Sequence, residues 1–166
     1  LRILENKDGA GSLVQKSCAI AGIALEMTGK AAAGNGADAA MTLIRNGKAL
    51  SKMREIIEIQ GGDPHVKADD LTFGPFTYDV PAPADGAVIS VKNRALIDIA
   101  RTAGSPADHG AGLTLHKKPG ETVRKGDTLL TIYAEKEWRL SEAIELCRTA
   151  KPVAVSGMLL SRIGSE

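Results

Sequence analysis

The chain has 166 residues, 43% of them hydrophobic but only 3% aromatic, so its cores must be built from Ala, Val, Leu and Ile. Lys and Arg number 21 against 20 for Asp and Glu, which leaves none of the basic excess that phosphate-backbone binding relies on, and aromatic stacking platforms are missing. Nucleic acid is therefore not an expected partner, and the length permits one ordinary domain or two small ones.

Leu1-Arg2-Ile3-Leu4-Glu5 reads as the tail of a helix, and no initiator Met precedes it. The expectation is that the sequence is the rear portion of a longer chain. "SLVQKSCAIAGIALEMTG" (12–29) then spells an amphipathic helix. Ser12 and Gln15 have capping-box spacing, Val14, Cys18, Ala21 and Leu25 share one apolar face, and Gly29 supplies the stop. Breaks at Gly34-Asn35-Gly36 and Asn46-Gly47 separate a short helix near 37–45 from another near 50–60. Leu50, Met53, Ile57 and Gln60 lie along that last helix, and Gly61-Gly62 ends it. Three short helices with little aromatic mass make a thin core that needs a partner. If an upstream domain is missing, helix 12–28 bares apolar surface and promotes self-association.

After "GGDPHVKADD" the period changes. "LTFGPFTYDVPAP" has strand formers cut by Gly74-Pro75, which predicts an edge or bent strand. "ADGAVISV" reads as turn and strand, and "KNRALIDIARTAG" as a helix with Leu96, Ile99, Ala100 and Ala103 on one side, Asn93 as cap and Gly104 as stop. "GLTLH", the turn "KKPGE", a short "TVR", the turn "KGD" and the strand "TLLTIYA" follow. A helix near 137–149 carries Leu140, Ile144 and Cys147, and a final strand, "PVAVSGMLLSRI", is interrupted at Gly157. The fold class is α+β: a short helical segment, then a small β-rich domain with two helices and a barrel-like antiparallel or mixed sheet.

Few residues invite a chemical role. Cys18 and Cys147 read as two free thiols of a reducing compartment. No apolar run approaches the ~20 residues of a membrane span and no charged-then-apolar leader is visible, so a cytoplasmic location is expected. His65, His109 and His116 are too few and too scattered for a zinc site, and His109 reads as a loop or cap residue. "GNGADAA" and "DGAGS" look faintly like phosphate loops, but no strand precedes the first and no Gly-rich Lys-Ser/Thr motif appears anywhere. Their glycines read as helix stops and turns. Ser12 fits a helix cap better than a nucleophile elbow, and Ser156-Gly157 reads as a bulge in an edge strand. Lys117-Lys118 and Arg124-Lys125 cluster at two turns, as solvated charge or as a contact for an anion or an acidic neighbouring subunit.

Two resemblances bear on function. "VPAPADGAVISV" and "VRKGDTLLTI" resemble the rear half of the biotinyl/lipoyl hammerhead family. That family's attachment lysine sits between methionines, whereas no lysine occurs between Lys67 and Lys92 and no methionine stands in that stretch. A helical insert at 92–104 also interrupts the half-domain, so a shared fold without a swinging arm is expected.

The second resemblance covers positions 1–163. "SLVQKS…AGIALEM", "GKAL…MREIIEIQGGDP" and "APADGAVISVKNRALIDIARTAG…DHGAGLTLHKKPGETVRKGDTLLTIYAE" are similar to nucleoside and nucleotide phosphorylases, including thymidine and pyrimidine phosphorylases. With "PVAVSGMLLSRI" at the end, the whole looks most like the archaeal AMP phosphorylase branch. The resemblance implies a helical tail of the central domain at 1–62, a linker at 63–70 and a carboxyl-terminal domain at 71–166. It also implies a parent enzyme in which phosphate attacks C1′ of the ribose; for AMP the products are adenine and ribose 1,5-bisphosphate.

The phosphate loop, the proton donor and the base-site contacts of that family precede the segment matching Leu1, so none transfers here. Asp98, Lys92 and Ser12 are not substitutes for them. The expectation is thus no catalytic, cofactor-binding or metal residue in this stretch. The implied parent uses no cofactor, takes phosphate as co-substrate and AMP or a nucleoside as substrate, and forms a homo-oligomer. The open alternatives are a thymidine or pyrimidine-nucleoside enzyme and a non-catalytic assembly module.

Overall fold

The computed structural model describes residues 1–7 and 11–157 and divides the chain into two compact units, Leu1–Leu71 and Thr72–Glu166. Part of "DGAGS" and the end of the final strand, from position 158, lie outside the described residues.

The first unit is helical. Leu1 to Lys7 form one helical turn, closed by Asn6 at φ 56°, with the Lys7 amide donating to the Arg2 carbonyl at 2.9 Å and Asn6 to Ile3 at 3.1 Å. Helix α1 spans Gly11–Met27, α2 Gly36–Arg45 and α3 Lys48–Ile59. Because α1 starts at Gly11, Ser12 lies inside its first turn and not at the cap. Gly29, at φ 67°, ends α1 as expected: its amide donates to Glu26 at 3.0 Å, and the Lys30 amide to Leu25 at 2.8 Å. This pair of bonds satisfies carbonyls that a helix end otherwise leaves open.

Helix α1 meets α2 through Cys18 and Gly22, which are buried, while Ala21 is exposed. The inward stripe is therefore Val14, Cys18, Gly22 and Leu25, one position away from the expected one at Ala21. Only glycine fits at 22, since a Cβ there would stand 2.4 Å from the Ala37 nitrogen. The opposite side of α1 is also apolar and bare: Leu13, Ile20, Ile23 and Met27 are 54%, 61%, 60% and 82% exposed. A helix apolar all round belongs in an interior.

Four charged groups tie residues 1–7 to the 3₁₀ turn Ala68–Asp70. Glu5 Oε1 accepts from the Ala68 amide at 3.0 Å, and Lys7 Nζ donates to Asp69 Oδ2 at 2.6 Å while lying 3.1 Å from Glu5 Oε2. Arg2 Nη1 reaches Asp69 Oδ1 at 3.2 Å.

The second unit is α+β. Strands β1 (Phe76–Pro81), β5 (Thr128–Ala134) and β3 (Gly112–Leu115) form one antiparallel sheet in the order β1-β5-β3. Strands β4 (Thr122–Val123), β2 (Gly86–Val91) and β6 (Val153–Ser156) form a second, in the order β4-β2-β6. The described residues therefore hold two open three-stranded sheets where barrel-like closure was expected; the α+β class stands.

Strand β1 is an edge strand, as the Gly74-Pro75 break predicts. Gly74 is required where the chain crosses the end of β5, because a Cβ would sit 2.3 Å from the Ala134 carbonyl oxygen. The register of β2 against β6 shifts between Val88 and Ser90, and the strand beyond Gly157, on which the expected bulge at Ser156-Gly157 depends, lies outside the described residues. Helix α4 (Asn93–Ala103) has Lys92 at its N-cap in place of the expected Asn93, and α5 spans Glu137–Ala150.

Strand β5 divides the interior. Leu130, Ile132 and Ala134 pack against Ile99 and Ala103 of α4 and Leu140, Ala143 and Cys147 of α5. Leu129, pointing the other way, joins Ala82, Val88 and Val123 in a second core. Leu130 and Ile132 are wholly buried. Leu130→Ala is expected to lower the stability of this unit by about 2–5 kcal/mol, the range for emptying a packed site. Urea unfolding monitored on this unit measures the loss.

The charged tether yields a pH prediction. The Ala68 amide and then Lys7 hold the Glu5 carboxyl below its ordinary 4.5. Lys7 holds Asp69 below 3.8, and Asp69 followed by Glu5 holds the Lys7 ammonium above 10.5. Depressed carboxyls stabilise above their unfolded values and lose that contribution as pH falls through the folded ones; a raised ammonium contributes below 10.5 and loses it as pH climbs through its folded value. The tether is thus complete between these limits. The protection factor of the Ala68 amide is expected to hold near neutrality and fall on acidification below the carboxyl range. Glu5→Gln should remove most of that acid dependence.

Candidate functional site

The described residues place the chemically capable side chains in separate groups. On the face of the first sheet away from α4 and α5, Thr131 of β5 is cross-strand partner of Asp79, and His116 follows β3. Thr131 Oγ1 donates to Asp79 Oδ1 at 2.5 Å, and His116 Nε2 lies 2.8 Å from the same Oγ1. Thr131 has one proton and gives it to the carboxylate, so its oxygen accepts from the ring and Nε2 carries hydrogen. Nucleophile activation needs the reverse, a base that takes the hydroxyl proton. The chain Asp79–Thr131–His116 is therefore a cross-tie over three strands.

A second group fixes the loop between α4 and β3 onto the start of α5. Asp108, with its side chain 13% exposed, stands 3.4 Å from Arg139 Nε and 3.9 Å from Lys136 Nζ. Its Oδ2 and Arg139 Nε are buried without an aligned hydrogen bond, so the attraction is mostly coulombic. Gly104 makes room for it, since a Cβ would lie 2.5 Å from Asp108 Oδ2. Glu135 Oε1 accepts from the Gly110 amide at 2.7 Å. His109 is exposed in this loop, and His65 is exposed in the other unit. No group of three metal-binding side chains occurs among the described residues.

The glycine-rich loop "GNGADAA" opens onto the amino terminus of α2, where an anion would be favoured. That position holds a protein carboxylate: Glu26 Oε1 of α1 accepts from the Gly36 amide at 2.8 Å. A Cβ at Gly36 would meet the Gly22 carbonyl oxygen at 2.2 Å. The glycines serve helix packing and capping, and the place for a phosphate is filled.

The basic turns are mixed in charge. Lys117 Nζ lies 3.8 Å from Asp127 Oδ2, which accepts from the Arg124 amide at 3.0 Å. Glu121 accepts from the Lys118 amide at 3.2 Å and Asp85 from the Lys125 amide at 2.7 Å. Arg124, Asp85 and Asp127 line an open cavity of about 710 Å³. Opposite charges alternate around it, so it offers no concentrated anion field. Lys92 donates to the Ala150 carbonyl at 3.2 Å, and Asp98 pairs with Arg94 at 3.2 Å. Cys18 and Cys147 are free and buried, and desolvation raises the Cys147 thiol pKa.

Sequence reasoning did not find the Asp79–Thr131–His116 chain or the Asp108–Arg139 pair. Their members are separated by loops and strand pairings; the alternation in "TLLTIYA", which puts Thr131 opposite Leu130, was the only local signal.

Residues 87–154 match the family model for the pyrimidine nucleoside phosphorylase C-terminal domain. The chain is 67% identical over all of its 166 residues to an AMP phosphorylase of Methanocorpusculum labreanum, 33% of which it covers. It is 53% identical over 163 residues to an AMP phosphorylase of Methanospirillum hungatei, with 98% of this chain and 32% of that protein aligned. It is 52% identical to AMP phosphorylase 1 of Archaeoglobus fulgidus over 99% of this chain and 32% of that protein. The chain thus spans about a third of the length of the curated relatives it matches. The second unit thus carries the match to a pyrimidine nucleoside phosphorylase C-terminal domain, and the chain is similar along its whole length to about a third of several AMP phosphorylases.

Proposed function

We propose that this chain is the carboxyl-terminal third of an AMP phosphorylase, whose whole form splits AMP with phosphate to adenine and ribose 1,5-bisphosphate. The observation that carries this reading is the 67% identity to an AMP phosphorylase across every residue of the chain. The reaction needs a cradle for two anions and an acid for the departing base, with donors fixed before charge develops. The reading assigns those groups to the two thirds of the parent that the chain does not span. It leaves this chain no catalytic, cofactor or metal residue, and phosphate enters as co-substrate.

In the same reading, positions 1–62 complete the central domain, 63–70 link, and 71–166 form the carboxyl-terminal domain that helps close the cleft. Closure excludes water and strengthens every anion contact inside. The bare row Leu13, Ile20, Ile23 and Met27 supports contact with the rest of the parent, because each buried side chain of this size is worth about 1.5–3 kcal/mol. The parent is proposed to be a homo-oligomer in the cytoplasm; two buried free thiols agree with a reducing compartment. None of the described helices is long and apolar enough to cross a membrane. A pyrimidine-nucleoside enzyme is the second reading, favoured by the name of the matched family model.

Phosphate-dependent release of adenine from AMP, followed by chromatography, tests the reading. The full-length parent is expected to turn over AMP well above thymidine, and the 166-residue chain alone to give no more than a protein-free blank. Turnover by the isolated chain, or a parent that prefers thymidine, would sink it.

A further inference from the structure

The geometry points to a binding site for a small organic anion with an apolar body, a carboxylate or a phosphate monoester, in the cleft at the carboxyl end of α5. This inference goes beyond the phosphorylase reading and does not depend on it. A cavity of about 550 Å³ is lined by residues of β1, β5, α5 and β6, a size that suits a small molecule. Its walls are aliphatic, formed by Val80, Leu129, Ile144 and Val155, and the Cys147 thiol adds a neutral surface.

The charge on this cleft is of one sign. Lys92, Arg148 and Lys151 line it, and among the described residues no carboxylate does. Two of these cations have local work: Lys92 donates to the Ala150 carbonyl at 3.2 Å, and Arg148 pairs with Glu145 at 2.5 Å. Lys151 makes no ion pair among the described residues, and its backbone sits at φ 44°, ψ 70°. That left-handed region is sparsely occupied by side chains other than Gly, Asn and Asp, and helix ends of this kind usually carry glycine. The residue after it is Pro152, which further disfavours a compact conformation at Lys151. A lysine held there against local preference places a cation at the mouth of an apolar cleft. The partial negative charge of the helix terminus, about half a unit, is met by Lys92 at the Ala150 carbonyl and by Arg148 in the last turn. An apolar ligand body would fill the aliphatic walls while its anionic head meets Lys151.

Calorimetric titration of the full-length protein with octanoate, octyl phosphate and octanol tests the site. At least one anion is expected to bind about tenfold or more tightly than octanol, the difference one ion pair makes. The preferred anion identifies the head group. Lys151→Gly suits the positive φ, so Tm should hold or rise while anion affinity falls to the octanol level; Lys151→Asn should behave likewise, and Lys151→Arg should retain binding. Equal affinity for octanol and both anions overturns the proposal. So does anion binding that is unchanged in Lys151→Gly and Lys151→Asn.

Discussion

Strand β5 is buried on both sides, and that burial places a demand on every element touching it. One face carries Leu130, Ile132 and Ala134 against two helices; the other carries Leu129 toward the second sheet and Thr131 beneath His116. A strand with no wet face must satisfy its backbone laterally, and β1 and β3 do so with antiparallel ladders. Its single buried hydroxyl must likewise find partners, because an unpaired one costs more than a hydrogen bond gains. Asp79 and His116 are those partners, so the polar cross-tie follows from the hydrophobic layering.

The helical unit presents the opposite condition. Its closest contact is backbone on backbone, with Gly22 and Gly36 removing the side chains that would hold α1 and α2 apart. Close approach of this kind buries little apolar area, and no residue of α3 is fully buried. Small units whose apolar side chains face outward have a narrow margin over unfolding. The charged tether from Glu5, Lys7 and Arg2 to the 68–70 turn supplies directional contacts, but exposed ion pairs of this type each add little.

Much of the architecture was legible in the chain itself. "TLLTIYA" is β5 from first residue to last, and Gly29, Gly61 and Gly104 end helices where their lack of a Cβ is useful. The errors came from features that local pattern does not encode. Ala21 and Gly22 are adjacent and both small, and only the position of α2 decides which turns inward. Asn93 has the chemistry of a cap, yet Lys92 occupies that position because β2 ends one residue earlier. The bulge at Ile89 lies inside a run of strand formers, where no local residue announces it. The site-level pairs were invisible for the same reason: Asp79, Thr131 and His116 meet only after three strands have been ordered.

The hydrogen-bond direction along that cross-tie has one more implication. Because Thr131 gives its one proton to Asp79 and receives from Nε2, the bonds run in one direction across the three strands. A slip of any one strand by a single residue would turn its side chain to the other face and break the run. The polar run is thus a pin for strand register in a layer otherwise held by apolar contact.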